Sequence, residues 1–116
     1  MTLSLNATHP HSGLTEYDLH SLYGHMMADH TRTFLTTNAT YNHTDNRPFI
    51  LTRSTFAGSG RFASHWLGDN KREWSYMNYS IAGIMNMNMF GIPHTGADVC
   101  GFFGEHIDQE MCARWI

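Results

Sequence analysis

The chain has 116 residues, 41% of them apolar and 15% charged, with a formal net charge of -3. That length suits one small domain, and the composition excludes a disordered chain. A slightly acidic balance without any Lys/Arg run excludes a phosphate-binding surface, so no nucleic-acid partner is expected. The most apolar stretch, Ile81 to Ile92, is short and carries Asn86 and Asn88, so no membrane span is expected in this segment.

The first elements are read from periodicity. Residues 1 to 16 are polar, contain Pro10 and Gly13, and read as a loop or lead-in. They lack a basic region and a long apolar core, so they do not read as a signal peptide. Leu19, Leu22, Tyr23, Met26 and Met27 recur at spacings of three and four, which predicts an amphipathic helix from Tyr17 to about Leu35. Asp18 or Thr15 can cap its start. Thr36 to Pro48 is rich in turn residues and reads as a loop.

Phe49 to Arg53 then reads as a short buried strand, followed by a flexible Gly/Ser loop over residues 54 to 63. Ser64 to Asp69 reads as a second strand. Residues 71 to 90 read as a helix with Trp74, Met77, Ile81, Ile84 and Met85 on one side, stopped by Gly91 and Pro93. The methionines 85, 87 and 89 are expected in the core. Residues 94 to 102 give a third short strand and turn, and a last helix begins near Asp108. Strands alternating with helices imply parallel β-α units and an α/β fold.

Four Asn-x-Ser/Thr sequons, at Asn6, Asn38, Asn42 and Asn78, favour the secretory route. Asn78 falls within the predicted helix, where burial would keep glycan away. The two cysteines, Cys100 and Cys112, fit either a local disulfide or two buried thiols.

Each predicted strand delivers a polar residue at its C-terminal end: Arg53, Asp69 and Asp98. In a parallel α/β barrel that edge carries the active site, so the three define a shared polar pocket. An Asp that donates a proton near neutral pH needs apolar walls, which Trp66 and Phe102 can supply. Such walls also stack on the C–H face of a sugar, while Arg53 and Asp98 can bond its hydroxyls. Carbohydrate therefore ranks above phosphate or peptide as substrate. The nine histidines are not at ligand spacings, and neither a metal nor a cofactor is expected. The serines lack a nucleophile-elbow context.

The run RPFILTRSTFAGSGRFASHWLGDNKREW, followed by GIMNMNMFGIPHTGADVCGFFG and EMCARW, resembles glycoside hydrolase family 31, in its α-glucosidase branch. The likeness begins near Tyr17 and runs to Ile116. It implies a (β/α)8 TIM barrel, of which residues 17 to 116 are central units, incomplete at both ends, and retaining hydrolysis of terminal α-linked glucose. By the same resemblance Asp69 of HWLGDN is the general acid/base, Arg53 of RSTF binds substrate, and Asp98 of GADVCGF lines the glucose pocket between Trp66 and Phe102. Cys100 and Cys112 match a disulfide of the secreted branch.

A retaining enzyme needs two carboxylates about 5 Å apart. The family's nucleophile lies in an upstream W-x-D-M-x-E stretch that this sequence does not contain. The expectation is a fragment with the acid/base half of the site, inactive alone and partnered by the rest of its barrel. The alternative is a carbohydrate-binding or decayed paralogue that has kept the scaffold and lost the nucleophile.

Overall fold

A computed structural model describes residues 3–38, 40 and 47–116. Three short strands, β1 (Leu51–Thr52), β2 (Ser64–Trp66) and β3 (Thr95–Gly96), form one sheet in the order β1-β2-β3. Both pairings are parallel, with Leu51 opposite Ser64 and His65 opposite Thr95. Four helices accompany them: α1 (Glu16–Leu19), α2 (Tyr23–Thr37), α3 (Trp74–Met89) and α4 (Gln109–Trp115). All three strands are shorter than the segments predicted for them, Phe49 to Arg53, Ser64 to Asp69 and residues 94 to 102. β1 and β3 each have one neighbour, so half of their backbone groups find no ladder partner.

The first predicted helix is divided. A 3-10 turn over His20–Leu22 separates α1 from α2. The Asp18 carboxylate reaches back to the Thr15 N–H at 2.9 Å and the Thr15 hydroxyl at 2.7 Å, which fixes the start of α1 and holds the Asp18 pKa below the usual value. The lead-in is ordered against this start. Ala7 O accepts from Glu16 N–H and Leu5 O from Tyr17 N–H. The buried Glu16 carboxylate lies 3.0 Å from His20 Nδ1 and 2.9 Å from His9 Nε2. Those bonds, His20's first, hold its pKa below the usual 4.5.

Both long helices approach the sheet through small residues rather than their apolar stripes. Gly24 and Ala28 are the buried residues of α2, and Ser80 is that of α3. A Cβ on Gly24 would collide with Ser54, and one on Gly83 would lie 3.0 Å from Leu67. The predicted stripe of α3 is largely exposed instead: Ile81, Met85 and Met89 lie at the surface, and the expected methionine core is absent. Among the described residues the buried apolar side chains are Ala28, Phe62, Ile92 and Met111. Burial here follows backbone proximity, and three short strands cover little of a helix's width.

The AGSGRF stretch is not a flexible loop. Ser59–Arg61 form a 3-10 turn, Ser59 is fully buried, and its Oγ accepts from Phe56 N–H and shares a 2.8 Å hydrogen bond with His25 Nδ1. Gly58, at φ 90°, allows the backbone to enter that turn. No described helix is long and apolar enough to cross a membrane. Asn78 sits on an exposed face of α3 rather than a buried one, Asn6 is exposed, Asn38 is half-buried, and Asn42 lies outside the described residues.

Candidate functional site

Because the strands are parallel, their C-terminal ends share one edge, and Arg53, Trp66 to Asn70 and Asp98 leave from it. Three of these side chains form a continuous chain. The Arg53 guanidinium carbon stands 5.4 Å from the centre of the Trp66 ring, within cation–π range. The Trp66 indole N–H donates to Asp98 Oδ1 at 2.8 Å. Gly68 makes room for Arg53: a Cβ there would lie 3.1 Å from Arg53 Nε, and its φ of 96° suits glycine.

Asp98 Oδ2 is shielded from solvent and has no hydrogen-bond partner among the described residues. A buried carboxylate oxygen left in this state is available to a donor that the chain does not supply. Asp69 stands beside this chain of contacts rather than in it. It is exposed and makes no hydrogen bond or ion pair among the described residues. It lines a cavity of about 260 Å³ with Gly68, Asn70, Tyr76, Tyr79 and Ser80. Arg53 instead opens onto a cavity of about 1040 Å³ between β1 and the N-terminal helices, with Glu16, His20, Tyr23 and Thr52 among its walls.

Phe102 is exposed. Its ring meets Phe103 edge-on at 6.5 Å, and its N–H donates to Asn70 O at 2.8 Å. The walls expected around Asp69 are thus divided: Trp66 is committed to Arg53 and Asp98, and Phe102 projects from the next loop.

Three residues for which the sequence suggested no role at the site hold that loop. Asn70, Arg72 and Trp74 lie in the short connection that leaves β2 and at the first position of α3. Asn70 pairs with the Asp98 backbone. Arg72 donates to the carbonyls of Gly101, Phe102 and Gly104 at 3.4, 3.4 and 3.0 Å. Trp74 Nε1 donates to Asp108 Oδ2 at 3.0 Å, while Asp108 Oδ1 caps α4 through the N–H groups of Glu110 and Met111.

Cys100 and Cys112 form a disulfide, with Cα atoms 4.5 Å apart, that ties the loop to α4. Cys100 takes a φ of 67° in the turn closed by Gly101 N–H to Asp98 O, a conformation the cross-link holds in place.

Comparison with known proteins agrees with this architecture. Residues 2–116 match the family described as glycosyl hydrolases family 31 TIM-barrel domain. An α-glucosidase of Aspergillus niger is 49% identical over 114 residues, 98% of this chain and 11% of that protein. Alpha-xylosidase 1 of Arabidopsis thaliana is 44% identical over 115 residues, 99% of this chain and 12% of that protein. A crystal structure of a glucosidase II alpha subunit, described as Glc1Man2-bound, superposes with a TM-score of 0.86 at 35% identity, covering 98% of this chain and 12% of that one. The chain therefore spans about a tenth of the length of these relatives. With a parallel sheet whose polar strand ends share one edge, this chain belongs to glycosyl hydrolase family 31 and forms part of its TIM-barrel domain.

Proposed function

We propose that these residues carry the acid/base half of a retaining α-glucosidase site, in a longer protein that supplies the nucleophile and the remaining barrel strands. One observation carries this reading: Arg53, Trp66 and Asp98 are linked side chain to side chain at the C-terminal edge of a parallel sheet, and Asp69, unpaired among the described residues, sits between Gly68, which faces Arg53, and Asn70, which pairs with Asp98. Asp69 protonates the glycosidic oxygen as the bond breaks, then removes a proton from the water that releases the sugar. Arg53, Asp98, Trp66 and Phe102 bind the sugar. The substrate is an oligosaccharide with terminal α-linked glucose, which the named activities of the α-glucosidase and glucosidase II relatives support.

The disulfide and the exposed sequon at Asn78 support secretory use, with Asn6 and Asn38 as further candidate glycan sites. The flanks of the reading frame should supply a W-x-D-M-x-E stretch upstream.

The test is Asp69→Asn in that longer protein. Turnover of a natural disaccharide should fall by about 100-fold or more, because proton transfer at the leaving oxygen is lost. An aryl α-glucoside, whose leaving group needs no proton, should still form the glycosyl-enzyme. Added azide, which needs no base to attack, should then restore turnover and give the α-glucosyl azide. Near-normal hydrolysis of the disaccharide by this variant would remove Asp69 from the role.

A further inference from the structure

Resting on that reading, we propose that Asn70 is the positioning residue that sets Asp98, and with it Trp66, at a fixed distance from the acid/base. The geometry is a reciprocal clip. Asn70 Nδ2 donates to Asp98 O at 3.1 Å, and Asp98 N–H donates to Asn70 Oδ1 at 3.0 Å. The side-chain amide thereby pairs as a neighbouring strand's peptide would. It does so beyond the point where β2 ends at Trp66 and β3 at Gly96. Because one partner is a backbone N–H and the other a carbonyl, only one orientation of the amide satisfies both.

The same residue binds the loop a third time, its carbonyl accepting Phe102 N–H at 2.8 Å. Asn70 itself is 7% exposed, so its side chain is buried where it makes these bonds. Asp69 precedes it by one peptide, so the clip fixes the acid/base backbone and the Asp98 backbone against one another. Asp98 in turn holds the indole over which Arg53 lies. Other connections anchor the loop farther out, Arg72 at residues 101 to 104 and the disulfide at Cys100. The ladder bond from Leu67 N–H to Gly96 O and the Trp66 indole bond to Asp98 also join these segments, but Asn70, next to Asp69, is the residue that pairs with the Asp98 backbone on both its N–H and its carbonyl.

The experiment compares Asn70→Ala and Asn70→Asp with the parent and with Asp69→Asn, all in the longer protein, through kcat, KM and melting temperature. Asn70→Ala should lower kcat/KM for an α-glucoside about 10- to 100-fold, with KM raised and kcat lowered, as displacement of reacting groups by about 1 Å requires. Asn70→Asp keeps the side-chain volume and the acceptor for Asp98 N–H but loses the donor. Its deficit against the parent should be smaller, and should narrow as the pH falls and the new carboxyl, once protonated, donates to Asp98 O. Asn70→Asp also serves if the alanine variant fails to fold.

A purely structural role predicts a lower melting temperature with unaltered kcat and KM in the folded fraction of both variants, and that result overturns the proposal. If Asp69→Asn retains activity, the acid/base reading fails first, and the two failures are told apart by which variant stays active.

Discussion

At the scale of single residues, the polar groups of this edge differ in how firmly they are held. Asn70, His65 and Ser59 are buried and hydrogen-bonded, whereas Asp69 is exposed and unpaired among the described residues. His65 is 7% exposed, with Nδ1 3.3 Å from the Thr55 hydroxyl, and burial pushes its pKa below 6.5 because the imidazolium would lose hydration. The unfolded chain therefore binds this proton more readily than the folded one. The stabilising contribution is complete above pH 6.5 and is lost as the pH falls through the lowered folded value. Replacing His65 with Gln should flatten the decline in stability between pH 6.5 and 5, read as urea midpoints of the longer protein. An unchanged slope would show that the proton goes elsewhere. Glu16 acts in a separate window: its contribution is present above 4.5 and disappears as the pH falls through its own depressed value.

At the scale of elements, helix and sheet meet where side chains are smallest, and the nature of the opposing atom decides what a larger one would do. A methyl on Gly24 meets the Ser54 backbone carbonyl at 2.9 Å, an atom fixed beside β1. Gly24→Ala should cost about 1–3 kcal/mol in spite of the better helix propensity of alanine. Gly83→Ala meets only the end of the Leu67 side chain at 3.0 Å, which can rotate away. There the propensity gain of about 1 kcal/mol should offset the crowding and leave stability nearly unchanged. Denaturant unfolding of both variants in the longer protein separates the cases, and equal losses would contradict this account of the interface.

At the scale of the whole molecule, the chain is open. Its radius of gyration is 17.5 Å, against about 13 Å expected for a compact domain of this length. Large apolar side chains are exposed on α1, α2, α3 and the strand flanks, among them Tyr17, Met27, Phe49, Ile81, Met85 and Met89. Among the described residues both outer strands have a free edge. This surface is the kind that a closed barrel covers with neighbouring strands and helices. Expressed alone, the 116 residues should bind a hydrophobic dye strongly and melt over a broad range. A sharp melt with no dye binding would mean that the segment is self-sufficient.

The comparison of sequence with structure follows the same physical division. The alternation of apolar runs with turn residues already gave helix, strand, strand, helix, strand, helix, because periodicity and Gly/Pro signals are local. The RSTF, HWLGDN and GADVCGF motifs carried the family, since their order along the chain needs no coordinates. The pairing of Cys100 with Cys112 was open between disulfide and thiols until the loop and α4 were set side by side. Strand lengths were overestimated, because a ladder depends on neighbours that an apolar run does not specify. The apolar stripe of α3 did not become core, because Ser80 and Gly83 bring the helix close enough to turn that stripe outward. Asn70, Arg72 and Trp74 showed no role at the site in the sequence for a related reason. Their partners lie 28 to 34 residues away, and only parallel β2 and β3 bring them into reach. The sequence by itself determined which chemistry-bearing residues follow the strands, one to three positions beyond where each ends. The tertiary structure decided which of them touch, because contact across parallel strands depends on register rather than on spacing along the chain.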